Sequence, residues 1–411
     1  VKKVLIYGLN FAPELTGIGK YSGEMAEYFA HSGMDCSVVT GVPYYPRWEL
    51  ESGYQNCYGE EISPSGVKVF RCPLWIPKKP KAWSRIFHLF TFAFSSVPAL
   101  WRCRKWKPDV VIFVVPTLFS APLGLLISRW MGAKTWLHIQ DLEVDAMLKM
   151  FLKGKHSKIS KYVQFFESRL MKRFDVISSI SRRMVEITSM KTAREDVVLF
   201  PNWSDLSTLE GRGDRDYRRE WGLDSADVVV LYSGNLGKKQ NLDMLFDVAG
   251  ELKDFENLYF IVAGAGALKG HLESRLKDEN ISNLKMLELQ PLQDLGDFLR
   301  SADLHLVLQS RDVADLVMPS KWTNILGIGG QSLVTAELGT EVGNVTAENP
   351  GIALRVEPDD AAALKAGLLQ FYEAFSKGGL KKFNPLAHRY AKEVLARDGI
   401  LDRVVERIEQ L

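Results

Sequence analysis

Apolar residues along this chain of 411 residues fall into short β-rich runs, separated by stretches with helical spacing. In the first half the runs are KVLIYG (3–8), CSVVT (36–40), VKVFR (67–71), DVVIFVV (109–115), KTWLHI (134–139) and DVISSI (175–180). Runs of this length, rich in Val and Ile, predict strands. After the first of them, Ile18, Tyr21, Met25, Tyr28 and Phe29 recur at helical spacing, giving a helix one apolar stripe with which to cover a sheet. Strand, glycine-bearing loop and helix in that order predict a parallel α/β sheet. The run at 109–130, DVVIFVVPTLFSAPLGLLISRW, would pass for a membrane span on hydropathy. Pro116 and Pro122 divide it instead into buried strand, turn and short helix.

The pattern restarts after PNWSDLSTLEGRGDRDYRREWGL (201–223), a segment of charge and turn formers that reads as an interdomain linker. DVVVLYSG (227–234) is a new first strand; a helix with Leu242, Leu245, Phe246, Ala249 and Leu252 follows, then strands at 257–264, 283–289 and 302–308. The plan predicts an α/β protein of two doubly wound Rossmann-like domains, at 1–202 and 203–385, and an amphipathic helical end, 386–411, crossing back to the first domain.

Composition is that of ordinary globular protein, 46% hydrophobic and 25% charged. The opening VKKVLIYGLNF reads as a first strand rather than an export signal. The four cysteines lack CxxC spacing and suit reduced thiols, so the expected compartment is the cytoplasm. Charge changes the picture more. Residues 1–200 carry 28 Lys+Arg against 17 Asp+Glu, or +11, while residues 201–411 carry 24 against 33, or −9. The first half is thus expected to face something anionic.

Between Glu61 and Asp109 stand ten Lys or Arg and no acidic residue, among them Lys78, Lys79, Arg85, Arg102 and Arg104. The clusters flank IFHLFTFAFSSVPALW, whose 16 residues are too few to span a hydrocarbon core that needs about 20. Cations around Phe87, Phe90, Phe92 and Phe94 suit an interfacial helix on anionic lipid, placing the protein peripherally on the inner face of the cytoplasmic membrane. A second basic, apolar stretch at 147–174 points the same way. Nucleic acid is not expected, since no binding motif accompanies the cations.

Loops between strand and helix are where backbone N–H groups and the positive helix end can hold phosphate. One holds Gly17 and Gly19. A second, YSGNLGKKQNL (232–242), brings Gly234, Asn235, Lys238 and Lys239 before a helix that Asn241 could cap. Two cations there would stabilise the charge growing on a departing diphosphate without a metal. In the third, VMPSKWTNILGIGG (317–330), Ser320 begins a helix with Lys321 and Asn324 one turn apart. AGAGALKG (263–270) is near the dinucleotide fingerprint, but its third glycine comes one place late. Gly264 and Gly266 are therefore grouped with the donor loops rather than with NAD. His138 and Asp141 end a strand, where parallel sheets place ligands; they could contact sugar hydroxyls or steer a proton.

NFAPELTGIGKYS, HIQDLEVDAM, PNWSD, SGNLGKKQNLD, ADLVMPSKWTN and NPLAHRYAKEVLARDGI together resemble retaining glycosyltransferases of family 4, and within them the colanic acid biosynthesis fucosyltransferase type, over essentially the whole chain. The resemblance implies the GT-B fold, two Rossmann-like domains facing a central cleft. It also implies donor binding mainly in the second domain, acceptor binding in the first, and no obligatory metal or other cofactor. By position, Gly17 and Gly19 would face the donor phosphates, and His138 the transferring sugar. Asn235, Lys238 and Lys239 would surround the diphosphate, while Asp315, Ser320, Lys321 and Asn324 would meet sugar, phosphate or ribose. The chain departs from the family pattern of Gly-Arg-Leu followed by Lys-Gly: it has Gly234, Asn235, Leu236, then Gln240 and Asn241. Nor does a glutamate stand at Asp315 or Asn324 for the usual pair. The expected reaction moves a sugar, L-fucose from GDP-fucose before other GDP- or UDP-sugars, to a lipid-diphosphate-linked saccharide in exopolysaccharide assembly. A nucleotide-sugar epimerase of similar shape and a non-catalytic assembly protein at the membrane are the alternatives.

Overall fold

The long apolar runs become the strands of two separate sheets in the computed structural model. The structure describes the chain except residues 15–16, 79–81, 116–117, 143–157, 207–208, 210–214 and 312–317. Lys79 and Asp315 therefore lie outside the described residues, as does the start of the second basic stretch. By its contacts the chain divides into one unit of Val1–Pro201 with Leu401–Leu411 and another of Asn202–Ile400.

In the first unit the elements in chain order are β1 (Lys3–Gly8), α1 (Gly17–His31), β2 (Asp35–Gly41), β3 (Gly59–Ile62), β4 (Lys68–Cys72), α2 (Ala82–Cys103), β5 (Val110–Val115), α3 (Ala121–Met131), β6 (Lys134–Ile139), α4 (Lys158–Met171), β7 (Val176–Ser179), α5 (Arg182–Thr192) and β8 (Val198–Leu199). They form one sheet in the order β3-β4-β2-β1-β5-β6-β7-β8. Its pairs are parallel except β3 with β4. Every residue of β5 is buried, as expected of a central strand covered on both faces. The GEEI strand β3 has no apolar run to announce it: it is an exposed edge, where charged side chains are tolerated. Helix α2 packs against α3 and against β2 and β4 of this sheet. At the chain end the Tyr28 hydroxyl donates to Asp402 Oδ1 at 2.7 Å.

The predicted interfacial segment is part of α2, which runs on through Pro98. Its 3.6-residue period sorts the side chains. Phe87, Phe90, Phe94 and Trp101 are exposed, whereas Leu89, Phe92, Leu100 and Cys103 are buried. Phe92 is thus a correction to the membrane-facing set: it is 1% exposed and stacks on Tyr7 at 5.7 Å between ring centroids. Among the described residues no helix is long and apolar enough to cross a membrane.

The second unit contains α6 (Tyr217–Trp221), β9 (Val228–Asn235), α7 (Leu242–Glu251), β10 (Leu258–Ala265), α8 (Lys269–Asp278), β11 (Leu284–Leu287), α9 (Leu295–Arg300), β12 (Leu304–Val307), α10 (Ser320–Gly327), β13 (Ser332–Thr335), α11 (Glu341–Glu348), β14 (Leu354–Val356), α12 (Ala361–Ser376) and α13 (Pro385–Tyr390). The closing helix α14 (Arg397–Glu409) belongs to the first unit from Leu401 on. Its sheet has the order β11-β10-β9-β12-β13-β14 and is parallel throughout. Leu242, Leu245, Phe246, Ala249 and Leu252 are all buried with Val230, Tyr232, Phe260 and Leu306. The periodic face read from the sequence is the core face.

Candidate active site

The carboxyl end of β9 and the turn after it form the centre of the second-unit site. Asn235 is exposed at the strand end, and Lys238–Gln240 make one 3₁₀ turn before α7. Lys238 and Lys239 both project into solvent, and the Ser310 N–H donates to the Lys239 carbonyl at 2.8 Å, fastening the turn to the end of β12. Asn241 takes the left-handed conformation ahead of α7, with φ 45°, but its side chain does not cap the helix. It donates instead to Asp359 Oδ1 at 2.8 Å, a correction to the expected cap.

Lys321 reaches this strand end from the first turn of α10. Its ammonium lies 4.0 Å from the centroid of the Tyr232 ring, and a Cβ on Gly234 would come within 3.6 Å of it. Glycine at 234, with φ 151°, therefore leaves room beside the cation. Burial pulls the Lys321 pKa from 10.5 down to about 7. The Tyr232 hydroxyl donates to the Asn235 carbonyl at 2.8 Å, holding the aromatic platform in place. Lys321, far along the chain, thus meets Tyr232 and Gly234 at this strand end.

Other residues expected at the donor divide between surface and packing. Ser320 is exposed as the first residue of α10, and the N-cap position before it is Pro319. Asn324, one turn after Lys321, turns to the linker, where its Oδ1 accepts from the Ser204 hydroxyl at 3.2 Å. Gly264 and Gly266 press on the neighbouring strand end: a Cβ would lie 1.9 Å from the Gly234 carbonyl oxygen or 2.4 Å from that of Leu236. Their lack of side chains has a packing reason of its own.

In the first unit Gly17 begins α1 with φ 61°, and a Cβ there would only touch the Tyr45 ring, at 3.9 Å. Gly19 is buried, and a Cβ there would meet the Cβ of Glu14 at 2.6 Å. Glu14 was not singled out by pattern. It is 6% exposed; its Oε1 accepts from the Tyr44 and Tyr45 N–H groups at 3.1 and 3.0 Å, its Oε2 from Asn10 Nδ2 at 2.9 Å. Burial raises its pKa against those donors. The signal in sequence is a lone acid in the otherwise uncharged NFAPEL loop. Tyr44, Trp48 and His88, which lie beside it, carry no local signal because their meeting is tertiary.

His138 ends β6 but is 1% exposed. Its Nδ1 lies 3.0 Å from Ser178 Oγ, and its ring packs on Phe200 at 4.3 Å. Burial lowers its pKa to about 3, so the imidazole is neutral near pH 7. Burial thus leaves a neutral hydrogen-bonding ring at the end of β6. Asp141 is exposed just beyond the strand. Among the cations near α2, Lys78 and Arg85 are exposed, Arg102 pairs with Glu60 at 3.0 Å, and Arg104 stands over both Trp101 and Trp130, at 4.8 and 4.7 Å.

Residues 16–203 match the glycosyl transferase 4-like domain and residues 213–373 match glycosyl transferases group 1. The Escherichia coli (strain K12) chain that bears the name colanic acid biosynthesis glycosyl transferase WcaI is 41% identical over 99% of this chain and 99% of its own length. The chain belongs to glycosyltransferase family 4. It is a retaining glycosyltransferase of GT-B fold. Sucrose-phosphate synthase of Thermosynechococcus elongatus superposes with a TM-score of 0.77 over 100% of this chain and 99% of its own, at 13% identity. HepE of Anabaena, in complex with UDP, gives 0.70 over 100% of both chains at 13% identity. Against the family's Gly-Arg-Leu pattern, this family 4 member keeps Gly234 and Leu236 and has Asn235 between them. The cation packed beside Gly234 comes from Lys321 on α10.

Proposed function

We propose that the enzyme transfers L-fucose from GDP-fucose, with retention, to a lipid-diphosphate-linked saccharide during assembly of a colanic-acid-like exopolysaccharide. The likeness to the WcaI-named chain supports the polymer. The observation that carries the donor chemistry is the Lys321 ammonium on Tyr232 beside Gly234, with Lys238 and Lys239 on the adjoining turn. As the bond from the anomeric carbon to the diphosphate oxygen breaks, negative charge gathers on that oxygen, and these cations stabilise it. The same oxygen takes the proton of the incoming acceptor hydroxyl, whose oxygen bonds the anomeric carbon on the face just vacated. The protein contributes charge and alignment rather than a covalent nucleophile. Gly17 and Gly19 face donor phosphate, neutral His138 contacts the sugar, and Asp315, Ser320 and Asn324 serve the donor's hydroxyls.

The first unit takes the acceptor at the inner face of the cytoplasmic membrane. Exposed Phe87, Phe90 and Phe94 on α2 lie at headgroup depth, while Lys78, Lys79, Arg85, Arg102 and Arg104 meet anionic lipid. The test is incubation with a panel of GDP- and UDP-sugars and a lipid-diphosphate disaccharide, with product anomers assigned by NMR. Fucosyl transfer from GDP-fucose with retained configuration is expected. Transfer from another sugar nucleotide alone replaces the donor; epimerised donor, or no reaction with any, rejects the reading.

A further inference from the structure

Along α2 the chain that leaves β4, Pro73–Trp75, runs beside the helix, and between them lies a groove of about 730 Å³ lined chiefly by Leu74, Trp75, Phe87, Phe90, Thr91 and Phe94. That volume is within the range of about 300–1,000 Å³ usual for small-molecule sites. The groove wall turns its backbone polar groups inward. Asn56 donates from Nδ2 to the Leu74 carbonyl at 2.8 Å and accepts at Oδ1 from the Leu74 N–H at 3.0 Å. Thr91 Oγ1 accepts from the Trp75 N–H at 3.0 Å, and His88 Nδ1 lies 2.6 Å from the Trp75 carbonyl. Rings and hydrocarbon remain to face the opening, a lining that suits an apolar ligand and leaves a phosphate unserved.

From Trp75 the contacts lead to groups of opposite character. The His88 ring stands 4.6 Å from Tyr44 and 5.3 Å from Trp48. Trp48 is held with φ 58°, a conformation uncommon for a bulky residue, and the Arg85 guanidinium lies 5.5 Å from its ring centre. Beyond Tyr44 come Asn10, with Nδ2 3.5 Å from the phenol oxygen, and buried Glu14. Contacts thus link the apolar groove through His88 to the Tyr44 and Trp48 rings, and Trp48 to the Arg85 cation. An isoprenoid diphosphate saccharide carries the matching chemistries: hydrocarbon, anion and sugar.

We propose that the groove between α2 and Pro73–Trp75 binds the hydrocarbon chain of the lipid-linked acceptor, with Arg85 meeting its diphosphate and Trp48 facing its first sugar. The inference rests on the reading above that the acceptor is lipid-linked, and it adds the route by which the lipid is held. A membrane contact alone requires exposed apolar side chains but no groove with satisfied walls.

The experiment uses the full chain and a short isoprenoid diphosphate bearing a diazirine near its far end, with labelled peptides mapped by mass spectrometry. Label is expected on 73–75 and 87–95. Ser95→Trp, which fills the groove floor, is expected to lower labelling about tenfold, equivalent to about 1.4 kcal/mol, with melting temperature and the thermal shift given by GDP unchanged. Arg85→Met is expected to weaken the diphosphate probe and to leave the neutral alcohol of the same chain unaffected. Label elsewhere, or undiminished label in Ser95→Trp, overturns the proposal. So does equal competition by phospholipid vesicles and by unlabelled isoprenoid diphosphate, which would make this a general lipid face. Should Ser95→Trp fail to fold, the wild-type map and Arg85→Met decide. Groove labelling without sugar transfer would fault the donor assignment and support the site; transfer with label elsewhere would do the reverse.

Discussion

The Lys321 ammonium sits 4.0 Å above the centre of the Tyr232 ring, packed against the glycine at the end of β9. Desolvation takes its pKa from 10.5 to about 7; among the described residues no carboxylate is paired with it. In the ligand-free protein a base with a lowered pKa makes folding stability rise with pH between about 7 and 10.5, because only the unfolded chain still binds the proton there. An anion beside the ammonium restores the proton, so ligand binding has the opposite slope. Affinity for GDP-fucose, whose diphosphate diester does not titrate in this range, is expected to weaken above about pH 7 by up to about tenfold per unit. Lys321→Met should bind weakly and without that slope. Calorimetric titrations from about pH 6 to about pH 9, roughly one unit below the transition and two above it, check it; a wild-type profile as flat as the variant's rejects Lys321 as the phosphate partner.

Lys238 and Lys239 differ from Lys321 in being exposed on a one-turn element. Replacing both with Ala removes no core contact, so the melting temperature should move little. Turnover should fall about a hundredfold, the loss typical of one preorganised donor at a developing charge. Steady-state kcat beside a melting curve separates the two effects, and near-normal kcat with saturating donor would remove these lysines from the leaving-group site.

What the sequence made legible follows from how local the cause is. β1, β5, β6, β9 and β10 announce themselves because a strand buried on both faces must be apolar along its length. The exposed β3 edge and the half-buried β14 lack that requirement, and β13, though buried throughout, has only four residues in which to show it. Likewise Lys238 and Lys239 stand beside Gly234 in one loop, whereas the Tyr232 platform under Lys321 depends on a helix delivered from another part of the chain. Phe92 shows the converse limit: hydropathy along α2 marks all four phenylalanines alike, and only the packing of Tyr7 against one face separates Phe92 from the others.

That separation predicts two unlike outcomes on α2. Phe87→Ser, Phe90→Ser and Phe94→Ser together alter exposed rings and should reduce co-sedimentation with anionic vesicles while the protein melts near its usual temperature. Phe92→Ser empties a buried site; large-to-small changes of a buried Phe cost about 3–5 kcal/mol, so it should lower the melting temperature sharply. Vesicle binding by the folded triple variant equal to wild type would reject the membrane face.

Gly264 offers the clearest separation of packing from ligand binding among the glycines. It pairs with Gly234 in the register between β9 and β10, and a Cβ there would fall 1.9 Å from the Gly234 carbonyl oxygen. Backbone cannot rotate aside as a side chain does, so Gly264→Ala must shift the strand end. Such overpacking costs typically about 1–3 kcal/mol. The melting temperature of the nucleotide-free protein should therefore drop, with weaker donor binding as a consequence because Gly234 moves. Gly17→Ala is the contrast: φ is 61° and the nearest foreign atom is 3.9 Å away, so only the left-handed conformation is penalised, by about 1–2 kcal/mol. Thermal melts without ligand and with GDP distinguish the cases. An unchanged ligand-free melt for Gly264→Ala with lost GDP binding would make that glycine a direct contact of the donor rather than a spacer between strands.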